Sequence, residues 1–243
     1  MAQTTLKIFR FDPESGAPAR FDSYTVDVKP GQMVLGALFD LLEYRDASLA
    51  FRYSCRSGIC GSCSMHINGS YRLACETRVE QLGPEITIQP LQHFRIIKDL
   101  VVDLDDFFAK VDAIQPYLMP DREPPLHEWL QSPEQRDRIE DGAKCILCAC
   151  CQSGCPMTDS HPAYLGPAVL LKLDRYFQDS RDHADDLRLD LADGESGVWR
   201  CHTVFNCNAV CPKGLHPAAA ISHLKQALAH RQLFGWLRRK GKA

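Results

Sequence analysis

Apolar and polar positions change period several times along this chain, and each change marks an element. In residues 5–11 (Thr-Leu-Lys-Ile-Phe-Arg-Phe) and 22–28 (Asp-Ser-Tyr-Thr-Val-Asp-Val) they alternate, which sets successive side chains on opposite faces of a strand. The stretch between them is rich in Pro, Gly and Ser and reads as a turn. From Met33 to Tyr44 the spacing lengthens, and Leu35, Leu38, Phe39 and Leu42 fall on one face of a helix. Asn68-Gly69 is a two-residue hairpin signal between Ser64–Ile67 and Ser70–Ala74. Ile86 and Ile88, between Pro84 and Pro90, predict a closing strand. His93 to Ala113 carries Ile96, Ile97, Leu100, Leu104, Phe107, Phe108 and Val111 at helical spacing. Asp99, Asp103, Asp105, Asp106 and Asp112 interleave with them, so the pattern predicts an amphipathic helix whose acidic face is solvated or docks a basic partner. A Pro-rich linker follows (Pro116, Pro120, Pro124, Pro125). Beyond it, Tyr164–Phe177 and Ala218–Leu228 predict helices, with a polar connection reaching from Asp174 to His183.

Length and charge narrow the function. A chain of 243 residues makes one or two domains with ample core, and a net charge of −3 implies no nucleic-acid partner. Residues Met1 to Arg10 lack the apolar core of a signal peptide. No run reaches the roughly 18 apolar residues of a membrane span, so any membrane role comes through a partner. The 12 cysteines fall in motif spacings rather than scattered pairs, which points to metal sites in a reducing compartment and not to secreted disulfides.

Three cysteine runs carry the chemistry. Cys55-Arg-Ser-Gly-Ile-Cys60-Gly-Ser-Cys63 is the C-x4-C-x2-C of plant-type [2Fe–2S] proteins, and the hairpin at Asn68-Gly69 returns the chain to a fourth ligand, Cys75. Two strands, a helix and then this run is the order of a β-grasp ferredoxin. Cys145-Ile-Leu-Cys148-Ala-Cys-Cys151-Gln-Ser-Gly-Cys155-Pro156 is C-x2-C-x2-C-x3-C-P, whose first three thiolates hold one cubane while the fourth serves another. Downstream, Cys201, Cys207 and Cys211-Pro212 overlay Cys145, Cys151 and Cys155-Pro156, with Val204 in the slot of Cys148. Cys145, Cys148, Cys151 and Cys211 then form a complete [4Fe–4S] set. Cys155, Cys201 and Cys207 form a set of three, which holds [3Fe–4S] or leaves one iron open for chemistry. Val204 offers no ligand and discourages water, which favours [3Fe–4S]. Cys150 is left over as a small buried hydrophobe. Paired cysteines are also zinc ligands, although zinc draws four ligands from two pairs and here four positions sit in one short run. No Ser/His/Asp constellation or phosphate loop is present, so no catalytic residue is assigned.

In that order and length, the three runs resemble the iron–sulfur subunit of the succinate dehydrogenase/fumarate reductase family (respiratory complex II). The matching stretches are Ser54 to Cys63, Asn68-Gly through Leu73-Ala-Cys75, Cys145 to Pro156, Asp179-Ser-Arg-Asp182, and Cys201-His-Thr to Cys-Pro-Lys-Gly214. The resemblance implies an α+β chain: an N-terminal β-grasp plant-type ferredoxin domain (1–104), then an all-α bacterial-ferredoxin-like domain (105–243) holding [4Fe–4S] and [3Fe–4S]. It implies a complex in which an FAD-containing flavoprotein works on succinate or fumarate and a transmembrane anchor binds quinone and often haem b. This chain would pass single electrons between them through iron held only by the cluster cysteines, at the cytoplasmic face of the cell membrane. In some members the residue matching Cys63 is aspartate; here all four ligands are cysteines.

Around the quinone, His202 matches the family's quinone-region histidine and Lys225 a basic residue near the haem and quinone site. Where many members carry a serine and a tryptophan, this chain has Met157 and Ser160. That departure favours a low-potential quinone such as menaquinone, or an anchor of different architecture. A soluble fumarate reductase or heterodisulfide-reductase-like complex with a non-quinone acceptor is the alternative, and a structural zinc protein the third. The basic end of the chain (Arg238, Arg239, Lys240, Lys242) lies against anionic headgroups or is a solubilising tail.

Overall fold

Alternation builds the first sheet. β1 (Ala2–Arg10) pairs antiparallel with β2 (Arg20–Val28) and parallel with β5 (Glu85–Gln89), while β3 (Ser64–Ile67) pairs antiparallel with β4 (Ser70–Leu73) and with β5. The sheet order is β2-β1-β5-β3-β4. Leu6 and Ile8 of β1, Ile67 of β3 and Ile86 and Ile88 of β5 are completely buried in one cluster with Val34 and Leu38. The last two come from α1 (Val34–Tyr44), which buries the face its spacing predicted. Each such aliphatic side chain contributes roughly 1.5–3 kcal/mol. The tight return at Asn68-Gly69, both at positive φ, joins β3 to β4.

This computed structural model describes residues 2–240 apart from 122 and 124. The chain divides into two compact units. One gathers Met1–Asp106, Ile146–Gly154 and Val210–Pro212; the other holds Phe107–Cys145, Cys155–Ala209 and Lys213–Ala243. The first unit therefore takes in two short cysteine-bearing segments from far along the sequence.

The helix expected over His93–Ala113 is not continuous. β6 (Ile96–Lys98) and β7 (Val101–Val102) form a small antiparallel pair, and only Asp105–Ala113 is helical, as α2. Asp99 sits at φ 45° between the strands and is 1% exposed, so it belongs to no solvated acidic face. Its carboxylate accepts hydrogen bonds from the Arg10 guanidinium at 3.1 Å and from the amides of Phe11 and Ala50, both at 2.9 Å. Alternation along β1 drives Arg10 into the interior, where Asp99, Asp46, Tyr24 and Ser48 satisfy it. A buried cation left without such partners would cost several kcal/mol, and this demand overrides the helical period.

The second unit is helical: α3 (Pro133–Arg138), α4 (Glu140–Lys144), α6 (Pro156–Ser160), α7 (Pro167–Phe177), α8 (Asp185–Asp193) and α10 (Pro217–Lys240), with α10 packed on α7. Two further short helices, α5 (Cys150–Ser153) and α9 (Asn206–Ala209), lie inside the cysteine runs. The helix expected from Tyr164 starts instead at Pro167, because Gly166 at φ 87° breaks the chain and proline suits the first helical position. The start of the Pro-rich linker is fixed by fully buried Arg188, which donates to the carbonyls of Ile114 (2.6 Å), Gln115 (2.7 Å) and Tyr117 (2.8 Å) and to Asp182 (2.9 Å). Among the described residues no helix is long and apolar enough to cross a membrane. The side chains of Arg238, Arg239 and Lys240, and all of Lys242, lie outside the described part.

Candidate functional site

The first site is a loop wound around sulfur. Arg56, Gly58 and Gly61 take left-handed φ values of 58°, 68° and 72°, which curls the backbone so that its amides face the thiols. Cys55 Sγ accepts from the amides of Ser57 (3.4 Å), Ile59 (3.3 Å) and Cys60 (3.3 Å). Cys60 Sγ accepts from the Cys55 amide at 3.5 Å and Cys75 Sγ from that of Gly58 at 3.3 Å. The Ser57 amide, then those of Cys60 and Ile59, pull the Cys55 thiol down to about 6, whereas burial pushes Cys63 up to about 12. Amide donors stabilise thiolate, the ligating form. A side chain on Gly58 would put its Cβ 2.0 Å from the Glu76 carboxylate. One on Gly61 would meet Cys148, 2.8 Å from its Cβ and 2.9 Å from its Cα, so this loop lies directly against the second run.

The second and third runs share a backbone plan. Leu147 and Ala149 take φ values of 52° and 62°, and Thr203 and Phe205 take 56° and 64°. In each run these positions stand two and four after the first cysteine, Cys145 or Cys201, and the short helices α5 and α9 then begin at the same offset. Left-handed backbone is costly for side-chain-bearing residues, of order 1–3 kcal/mol each. Two such pairs in one register describe a coil built twice, with Cys148 and Val204 at matching places. Pro156 opens α6 as its first residue and turns the chain out of the first coil.

In the first unit, Cys148, Cys150 and Cys151 lie on the annexed segment 146–154 and Cys211 on 210–212; Cys145 ends a segment of the second unit. Cys150 is fully buried, and its interaction with Cys148 brings the Cys148 thiol down to about 7 against the effect of burial.

Cys155, Cys201 and Cys207 line a narrow concavity in the second unit together with Tyr164, Val204 and Phe205. Burial pushes Cys207 up to about 11 and raises Cys155; iron displaces such protons on binding. Val204 and Phe205 stand 53% and 57% exposed at the rim, with Trp199 nearby in sequence at 47%. Of the quinone-region residues, His202 and Met157 line the concavity, and Lys225 Nζ donates to the Cys201 carbonyl at 2.8 Å. Ser160 does not line it; its hydroxyl bonds back to the Pro156 and Met157 carbonyls of its own helix. Tyr164 was not expected here, since the helical period placed it inside α7. Its side chain is 1% exposed, and its hydroxyl makes no well-formed hydrogen bond, lying instead beside the Cys201 thiol. Burial, then the charges of Cys201, Cys155 and Cys207, hold the phenol protonated.

The residues fit iron–sulfur clusters. None of the 12 cysteines is in a disulfide, amide donors already surround the first set, and a buried hydroxyl lies beside a thiol of the third set. Among the described residues no group of three or more His, Cys, Asp or Glu side chains closes around a point the size of one metal ion; a cluster, bridged by its own sulfide, demands no such convergence.

Comparison with known proteins agrees along the chain. Residues 5–109 match the 2Fe-2S iron-sulfur cluster binding domain and residues 141–215 the 4Fe-4S dicluster domain. A curated relative, the succinate dehydrogenase iron-sulfur subunit of Paracoccus denitrificans, is 43% identical over 226 residues, covering 92% of this chain and 87% of that one. A chain of the Mycobacterium smegmatis Sdh1 complex in the apo form superposes with a TM-score of 0.87 at 29% identity, covering 96% of this chain and 98% of that one. A hypothetical protein from Helicobacter pylori shares the fold at a TM-score of 0.55 and 19% identity, over 94% of this chain and 40% of its own.

Fold and site together define an iron–sulfur electron carrier in which a [2Fe–2S] β-grasp domain precedes a helical ferredoxin-like domain for two clusters. Within that class, the chain belongs to the succinate dehydrogenase iron–sulfur subunit family. It is an electron-transfer subunit of an oxidoreductase complex.

Proposed function

We propose that this chain is the wire of a membrane-bound succinate:quinone oxidoreductase, or of the same complex run as a quinol:fumarate reductase. Cys55, Cys60, Cys63 and Cys75 would hold [2Fe–2S]; Cys145, Cys148, Cys151 and Cys211 would hold [4Fe–4S]; Cys155, Cys201 and Cys207 would hold [3Fe–4S]. Bound clusters supply one-electron transfer at potentials set by charge, burial and hydrogen bonding. The chain's residues do the rest. Loop amides stabilise the thiolates, the left-handed turns bend the backbone around sulfur, and buried side chains exclude water.

The observation that supports the wire best is the close packing of Gly61 on Cys148, where a single methyl group would come within 2.8 Å. It brings the loop of the first set into direct contact with a ligand of the second, and a short path favours transfer from one to the other. At the third set, Val204 and Phe205 expose apolar side chains at the rim, a surface for a partner, since exposed apolar groups beside a site are normally covered. A transmembrane quinone-binding anchor fits it, and would keep the chain at the cytoplasmic face of the membrane. An FAD-containing flavoprotein would deliver electrons at the first site. His202 at the concavity is the quinone-side residue of choice, and Met157 in place of a polar neighbour favours a low-potential quinone such as menaquinone.

The test is to tag this chain, isolate it anaerobically from membranes of the cells that make it, and follow the cluster EPR signals. Succinate is expected to reduce them, and a menaquinone analogue to re-oxidise them. Signals indifferent to succinate, or recovery without a flavoprotein and a membrane subunit, would overturn the proposal.

A further inference from the structure

Tyr164 is the one side chain around the third site whose chemistry is unaccounted for. It is nearly completely buried, and its hydroxyl makes no well-formed hydrogen bond but lies beside the Cys201 thiol. A buried hydroxyl without a strong acceptor costs about 1–3 kcal/mol, a cost that phenylalanine, of the same shape, would avoid. The other groups around it include Pro167, Ala218 and Ile221, which offer no side-chain acceptor. The concavity also holds His202, Thr203 and Asn206 beside Cys155, Cys201 and Cys207, and it is the Cys201 thiol that the Tyr164 hydroxyl meets.

We propose that Tyr164 is a tuning residue of the third site, its hydroxyl donating a hydrogen bond to a sulfur of the cluster held by Cys155, Cys201 and Cys207 and raising that cluster's reduction potential. The inference rests on the reading that these cysteines hold a [3Fe–4S] cluster. The cluster gains one electron from the [4Fe–4S] centre and passes one to the acceptor, while Tyr164 keeps its proton in both states. Because the reduced cluster carries one more negative charge, a neutral donor stabilises it more than the oxidised one. The donor thus makes the last centre a better electron sink, and electrons collect beside the acceptor.

Tyr164→Phe in the holo-complex removes the donor and little else. In an EPR-monitored redox titration the third midpoint is expected to fall by the equivalent of about tenfold in the reduced-to-oxidised ratio, about 59 mV for a one-electron centre. The other two midpoints should stay where they are. An unmoved third midpoint, in a variant that retains its oxidised three-iron signal, overturns the role of Tyr164 alone. Absence of that signal from the unmodified complex overturns the three-iron reading as well. Should the variant fail to assemble, ENDOR of the native complex in H2O and D2O decides. An exchangeable proton strongly coupled to the oxidised cluster is expected, and none would sink the inference.

Discussion

Val204 and Gly61 show how much a single position decides. Val204 occupies the slot that Cys148 fills in the first run, in a coil with the same left-handed residues on either side. Val204→Cys is therefore expected to supply a fourth thiolate and convert [3Fe–4S] to [4Fe–4S]. With Val204 already 53% exposed, the packing cost should stay within about 1 kcal/mol. Added negative charge should lower the potential and slow delivery to the acceptor. EPR of the air-oxidised variant checks it, because an undiminished oxidised three-iron signal would mean that the side chain points away from the open corner. Gly61→Ala is expected to be far more disruptive than Gly69→Ala. Both glycines have positive φ, but the new methyl at Gly61 strikes Cys148 backbone and at Gly69 meets nothing within 4 Å. Left-handed backbone alone costs an alanine about 1–2 kcal/mol; the clash adds to it, so Gly61→Ala should lower Tm several-fold more and reduce cluster content, as melting curves and iron assays would register. The matching places of Cys148 and Val204 were legible in sequence because the two runs share one spacing, which their backbones repeat. Tyr164 was not, because nothing in a period of apolar residues tells a helix position from a loop position three residues earlier.

At the scale of elements, the misread stretch is the instructive one. Residues 93–113 keep a helical period, yet β6, β7 and the turn at Asp99 form because one carboxylate closes three donors that would otherwise be stranded. Asp99→Ala should therefore destabilise the protein by roughly 3–5 kcal/mol, read as a shifted urea midpoint. Asp99→Asn, which keeps one acceptor oxygen, should cost less. The strands β1 to β5 and helix α1 were readable from their own periods, since local pattern and burial agree there; Asp99 answers to Arg10, 89 positions away. Helices α7 and α10 are tied by a titrating pair, buried Asp174 accepting from His223 Nδ1 at 2.6 Å. The hydrogen bond with Asp174 raises the His223 imidazole above its ordinary value, although burial works against it. Stabilisation from this pair is complete below the unfolded imidazole pKa of about 6.5 and is lost as pH rises through the elevated folded value. NMR titration should find His223 protonated above the usual range and Asp174→Asn should bring it down; an unmoved imidazole in that variant would count against the pair.

For the whole molecule, the proposed ligand sets would hold about nine irons, from two, four and three. Metal analysis of anaerobic, folded protein is expected to give that number without stoichiometric zinc, and fewer than about six would leave at least one set empty. Made without partners, the chain should be stripped from membranes by carbonate, because no described helix can span one. The order of the two halves could be read from the motifs, but not the way the first unit is finished. Its compact body includes Ile146–Gly154 and Val210–Pro212, and no local pattern announces that a segment will leave one fold to complete another.

That arrangement has a consequence for how the protein comes into being. A ribosome delivers the β-sheet early, yet the backbone at Gly61 stays uncovered until the segment around Cys148 emerges, and the unit lacks Val210–Pro212 until residue 212 has been made. The sheet's own core, whose buried residues all lie between Leu6 and Leu100, can close at once, but its annexed segments arrive only with the helical portion. A stop codon or protease cut anywhere before residue 210 would release an N-terminal fragment that lacks the last segment of its unit however well its strands pair.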